Sequence, residues 1–201
     1  MQFSFSDEFL KQYQIIRVIG EGGFGRVYEG RQLTLGRNVA IKCLLPKRTG
    51  IAEHLKRFRR EAHILASLNH PNIIQIFDYG VDNGIPYIVE ELLEGQPLEE
   101  LIEDKGKLPP SRVVAIGSQI SEALGYAHSR EVIHRDLKPA NIFISPEDKV
   151  TVLDFGLAKA TDDSTAITET GNLVGTYLYM APEVLQGKNY GPPADIYALA
   201  I

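Results

Sequence analysis

The sequence predicts an α+β fold in two lobes: a small antiparallel sheet with one helix over residues 1–94, then a mainly helical lobe over residues 95–201. Three observations lead there. Short alternating or β-branched runs fill the opening part of the chain, and a single amphipathic helical pattern interrupts them. The stretch "EGQPLEE" then forms a seam, carrying a glycine and a proline between apolar blocks. Beyond it the apolar residues recur at helical spacing.

Each element follows from its residues. "QIIRVIG", "RVYEGRQ" and "NVAIKCLL" read as strands. From Glu53 to Leu68, "EHLKRFRREAHILASL" sets Leu55, Phe58, Ala62, Leu65 and Ala66 on one helical stripe opposite a charged face, and the turn "NHPN" stops it. "NIIQIFDYG" and "PYIVEELL" return to strand character. After the seam, "LEELIEDK" and "PPSRVVAIGSQISEALGYAHS" read as helices, the second opened by proline. "NIFIS" and "VTVLDFG" are short strands on either side of the turn "PEDK". The chain carries no internal repeat and no low-complexity segment.

Composition narrows the function. The 201 residues, 44% of them hydrophobic, suffice for one large domain or two small lobes. A net charge of -5 offers no basic footprint, so no nucleic-acid partner is expected. The single cysteine, Cys43, rules out an internal disulfide or a thiolate cluster and favours a reducing compartment. The opening "MQFSFSDEFLKQYQ" has neither a basic region nor an apolar run, and no stretch approaches the roughly 18 apolar residues of a membrane span. No membrane contact is expected from this segment. A cytoplasmic location is expected, or the cytoplasmic side of a membrane receptor should a span follow residue 201. Nothing in the sequence signals an oligomeric state.

"GEGGFGRVYEG" holds a GxGxxG pattern at Gly20, Gly22 and Gly25. Alone it fits a dinucleotide, a nucleoside triphosphate or a purely structural turn. A dinucleotide site needs a helix after the glycines and an acid about 20 residues on. Here a β-like run through Val27 and Tyr28 follows instead, and the residue at that distance is Lys42, in "VAIK". A glycine turn between strands with a lysine on the next strand suits a triphosphate. Glu61, in "RREAHIL", is an anion that would orient the lysine, although it also fits a solvated helix face.

With "HRDLKPAN" from His134 to Asn141, and "DFG" from Asp154 to Gly156, the chain resembles the eukaryotic-type (Hanks-type) protein serine/threonine kinases. "DLKPANIFIS" and "GTYLYMAPEVL" are more similar to the bacterial branch. The resemblance implies ATP and Mg2+ as cofactors. Asp136 would orient the attacking hydroxyl, Lys138 would supply a cation, and Asn141 and Asp154 would hold magnesium. Lys42 and Glu61 complete the implied catalytic set. The nucleotide is expected against Ile19, Gly20, Glu21, Gly22, Gly23, Phe24, Gly25, Arg26, Val27 and Ala40 as well as Lys42, with backbone groups of Glu91 and Leu93 facing the base. Lys138 and Thr176 resemble the serine/threonine-directed branch, so the expected partners are proteins with seryl or threonyl acceptors. Thr168 and Thr170, in "ITETGN", are candidate autophosphorylation sites. Arg135 and the face of Lys56, Arg57, Arg59 and Arg60 could clamp the modified loop, unless that face is merely solvated.

Some residues depart from the family pattern. Glu90 falls where the family usually has an apolar or hydroxyl side chain behind the base, so it must be paired, protonated or turned to water, or the register is shifted by one. Lys42 is its candidate partner. Cys43 is expected to pack, and His134 to hold the loop instead of binding zinc. Asp195, in "PADIYALAI", stands where the family anchors the catalytic loop. The chain ends just after it, implying a domain truncated at its C-terminus, poorly stable and weakly active alone. A nucleotide-binding scaffold without transfer and a small-molecule kinase are the competing readings.

Overall fold

The computed structural model describes residues 4–22, 25–44, 51–155, 177–187 and 190–201. The chain forms two compact units, Met1–Ser67 with Gln75–Leu92, and Leu68–Ile74 with Leu93–Ile201. A division at 94/95 does not separate out Leu68–Ile74, which belongs with the second unit.

The first unit is a five-stranded antiparallel sheet in the order β1-β2-β3-β5-β4. Its strands are β1 Tyr13–Gly22, β2 Gly25–Gln32, β3 Arg37–Leu44, β4 Ile76–Asp82 and β5 Ile85–Glu91. Strand alternation divides the sheet's residues between two faces. One face gathers Tyr28, Val39, Ile41, Cys43 and Val89 into a core closed by Phe9 and Tyr13. Phe9 comes from a helix absent from the sequence-based reading, α1 Asp7–Gln12. Six residues are too few to show a helical period. The signal is instead a cap: Ser6 Oγ accepts from Phe9 N at 3.2 Å, and Asp7 and Glu8 stand at the positive end of the helix. Phe9 stacks on Phe5 and meets the edge of Tyr87. Cys43 is fully buried, and burial, with a smaller contribution from the Asp82 charge, pushes its thiol up to about 12. Its role is packing.

Helix α2, Ile51–Ala66, packs on β4 and β5. Phe58, Ala62 and Leu65 are its buried stripe, at the spacing of one helical face.

The second unit starts with the residues that follow α2. "NIIQIFDYG" was expected to be one strand and is two pieces. Asn72 O accepts from Val152 N at 2.8 Å, and Ile74 N donates to Val152 O at 3.0 Å. The Asn72 amide also donates to Val150 O and Gln119 Oε1. Those bonds hold Leu68–Ile74 to the second unit, so only Ile76–Asp82 continues as β4.

Around that attachment lies a three-stranded sheet, β6 Gln96–Pro97, β7 Ile142–Ile144 and β8 Val150–Val152. Helix α3, Leu98–Lys105, stops at Gly106, whose φ of 67° suits glycine. Helix α4, Pro110–His128, buries Ile116, Ile120, Ala123, Leu124 and Ala127. The short α5, Pro182–Leu185, and α6, Pro192–Ala200, both have proline in the first turn, where its missing N–H costs nothing. No helix among the described residues is long and apolar enough to cross a membrane.

Candidate active site

In the first unit the glycine segment is a hairpin. Strands β1 and β2 pair through Gly20 with Val27, Glu21 with Arg26, and Gly22 with Gly25; Gly23 and Phe24 lie outside the described residues. Strand therefore follows glycine, which is the arrangement a dinucleotide fingerprint lacks. Gly25 has φ 148°, and a Cβ there would stand 1.9 Å from Cys43 O, so the closure of β2 on β3 demands glycine. Arg26 Nη2 bonds Glu21 Oε1 across the hairpin, and that bond holds the Glu21 carboxyl below its ordinary range.

Lys42 lies on β3 opposite Val27 of β2 and Ile88 of β5; Ala40, two residues back, shares its face. Ile19 is exposed, while Val27, Ala40 and Lys42 are half-buried. Glu61 is on α2, but its side chain lies outside the described residues, as do Thr168, Thr170 and Thr176. Glu91 N donates to Gln75 O, and Gln75 N donates to Glu91 Oε1, both at 3.0 Å. Leu93 opens the second stretch of the other unit and is half-buried.

In the second unit, residues 134–141 form a loop pinned from below and from the side. Asp195, on α6 and 1% exposed, accepts from His134 N at 2.8 Å and from Arg135 N at 2.9 Å. His128, from the last turn of α4, donates Nε2–H to the same carboxylate at 2.8 Å. Three donors therefore converge on one buried anion, which offsets its desolvation. Arg135 has φ 71°, an uncommon conformation for a side chain of its size, held by the bond to Asp195. Its Nε is buried without a hydrogen-bond partner among the described residues.

His134 is fully buried, and its ring fixes its own tautomer. Leu153 O can only accept, so Nε2 carries the proton in the 2.8 Å bond to it; Nδ1 then accepts from Asp136 N at 3.3 Å. Phe155 packs against the ring at 4.7 Å. Burial holds the imidazole below its ordinary value, outweighing the opposing pull of Asp195 and the other nearby carboxylates. Below the ordinary value of about 6.5, the unfolded chain takes up a proton that the folded chain resists. This contribution to stability is therefore complete above that pH and is lost as the pH falls towards the lower folded value. Melting curves between about pH 7.5 and 5.5 are expected to show a falling Tm, with a shallower fall in His134→Phe, which has nothing to titrate.

Asp136 projects from this loop. Lys138 Nζ lies 2.9 Å from Asp136 Oδ2. The Asn141 amide donates to Asp136 O at 2.7 Å and to Asp136 Oδ2 at 3.1 Å. Those two bonds commit the nitrogen end of Asn141 and turn its oxygen end away from Asp136. Asn141 O in turn accepts from Leu153 N at 2.9 Å. Both backbone groups of Leu153 are thereby tied to the loop, which fixes the start of Asp154, itself at φ 57°. Asp136, Lys138, Asn141 and Asp154 are thus held by one hydrogen-bonded assembly within the second unit. A cavity beside the loop is lined by Arg135, Leu137, Met180, Tyr190 and Asp195, and burial, then the charges of Asp136 and Asp195, raises the Tyr190 phenol above its ordinary value.

The sequence reading missed His128. Sixty-seven positions separate it from Asp195, and no local pattern connects the two.

The protein kinase domain family matches residues 13–201. The serine/threonine-protein kinase PrkC of Bacillus subtilis is 44% identical over 190 residues, covering 94% of this chain and 29% of that protein. The serine/threonine-protein kinase PknD of Mycobacterium tuberculosis is 43% identical over 188 residues, covering 94% and 28%. The chain therefore spans less than a third of the length of these relatives. Among solved structures, the kinase domain of Mycobacterium tuberculosis PknI superposes with a TM-score of 0.75 at 29% identity, over 94% of this chain and 69% of that one. With its two-unit α+β fold and a family match running from Tyr13 to its last residue, the chain belongs to the protein kinase domain family.

Proposed function

We propose that this chain is the catalytic segment of an ATP- and magnesium-dependent protein serine/threonine kinase. The observation that carries the reading is the Asp136 carboxylate, which Lys138 and Asn141 hold on a loop anchored to buried Asp195. A carboxylate so placed can orient a seryl or threonyl hydroxyl and accept its proton as the hydroxyl oxygen bonds to the γ-phosphorus and the bond to the β,γ-bridging oxygen breaks, releasing ADP. Magnesium-ATP supplies the phosphoryl group and the metal's charge when bound. Asn141 and Asp154 fit the metal, a hard cation that prefers oxygen: the amide's nitrogen end is committed to Asp136, and Asp154 contributes a carboxylate. From the first unit, the glycine hairpin and Lys42 would hold the phosphates, and the backbone of Glu91, whose N–H is engaged by Gln75 O, would turn its oxygen to the base. From the second, backbone groups of Leu93 would face the base.

Activation by autophosphorylation at Thr168 and Thr170 belongs to the same reading. The buried Arg135 Nε, which has no hydrogen-bond partner among the described residues, supports it, since a phosphate oxygen would satisfy that donor. A cytoplasmic site of action and protein substrates are part of the proposal as well.

The test is transfer of label from γ-labelled ATP with magnesium onto casein by the full-length protein, with peptide mapping of the enzyme itself. Labelled casein and modified Thr168 or Thr170 are expected. ATP binding without transfer would indicate a scaffold, and transfer only to small molecules would indicate a different kinase class.

A further inference from the structure

Resting on the kinase reading above, we infer that Glu90 is a positioning residue for Lys42: a second acid that draws the lysine away from the nucleotide phosphates. The register across β2, β3 and β5 supplies the geometry. One rung sets Val27, Lys42 and Ile88 side by side, and the next sets Glu29, Ala40 and Glu90. Residues opposite one another, and alternate residues along a strand, share a face. Lys42 and Glu90 therefore stand on the same face as diagonal neighbours, roughly 7–8 Å apart at Cα and within reach of long side chains. The opposite register, with Glu91 on this face, is excluded: Glu91 pairs with Val39 of the other face, and its carboxylate accepts from Gln75 N.

The surroundings of Glu90 favour this contact. It is only 9% exposed, so its charge needs a partner. Directly opposite on β3 is Ala40, whose methyl leaves space over the rung, and on β4 it faces Ile76, which is apolar. The remaining acid in these two rungs is Glu29, which Arg17 Nη2 engages at 2.7 Å. Lys42 is thus the cation in these rungs that Glu90 can reach, and Glu90 would compete for it with the phosphates and, on the kinase reading, with the acid expected at Glu61. If only a tenth of the molecules have Lys42 turned towards the phosphates, apparent ATP affinity falls about tenfold.

ATP affinity by calorimetry and steady-state kinetics on the full-length protein test this with Glu90→Gln, Glu90→Met and Glu90→Asp. Removing the charge is expected to lower the Kd and KM for ATP about three- to tenfold, while Glu90→Asp, which keeps it, stays near wild type. Unchanged or raised values in Glu90→Gln and Glu90→Met overturn the inference, as does Glu90→Asp behaving like Glu90→Gln. Loss of the folded state in both uncharged variants also overturns it, because a competitor that leaves Lys42 a second acid is not required for folding. A wild type that binds ATP but transfers nothing refutes the kinase reading alone, since the affinities still report on Glu90. A wild type that binds no ATP overturns both.

Discussion

Asp136→Asn in the full-length protein lowers kcat for phosphoryl transfer by about 10² to 10⁴, while ATP affinity and Tm stay near wild type. On the proposed kinase reading, the near-isosteric amide removes the group that would accept the hydroxyl proton. It also weakens the 2.9 Å ion pair with Lys138. The loop itself survives the change. The Asn141 amide still donates to the backbone oxygen of residue 136, and Asp195 still holds His134 N and Arg135 N. A loss confined to kcat marks an interaction made in the transition state. Side-by-side kinetics and calorimetric ATP binding check it, and an equal loss of affinity would place Asp136 in ground-state binding instead.

Asp195→Ala is the second large effect, and its origin is different. On the proposed reading, Asp195 acts on the loop and not on the reacting groups. Removing its carboxylate leaves the buried amides of His134 and Arg135 and the His128 Nε2–H without their acceptor. Each hydrogen bond to a charged group is worth about 1.5–3 kcal/mol, so a loss on the order of 3 kcal/mol or more follows. For a domain of this size that lowers Tm by roughly 6–12 °C. Transfer falls too, because Arg135 keeps its φ of 71° only while Asp195 grips its N–H, and Asp136 is the next residue. Asp195→Asn retains one acceptor oxygen and should sit between wild type and Asp195→Ala, whereas His128→Ala loses a single bond and should cost least. Thermal melts paired with transfer rates check the order of the three variants.

Much of this was legible in the sequence where local pattern decides structure. The strands around the glycines, helix α2 and helices α3 and α4 follow from period and caps, and the fold class they imply is the one observed. Asp136, Lys138 and Asn141 lie within six residues of one another, so spacing alone brings them together. Where partners are remote, the pattern is silent. The Asn72 amide bonds to Val150 O, 78 positions away, and that tie divides a run of strand-like residues between two units. The hydrogen bond between His128 and Asp195 joins the end of one helix to another, and neither residue announces it. Helix α1 escaped for a different reason: it is a single capped turn and a half, too short to show a helical period. Glu90 shows the converse. Its type breaks the expected pattern, and the register with Ala40 shows which face it occupies.

The most direct test is the chemical identity of the phosphorylated residue. Incubating the full-length protein with γ-labelled ATP, magnesium and casein, followed by acid hydrolysis and separation of the phosphoamino acids, should yield phosphoserine and phosphothreonine, with the label lost in Asp136→Asn. Unlabelled casein, label on phosphotyrosine alone, or equal labelling by Asp136→Asn would contradict the account.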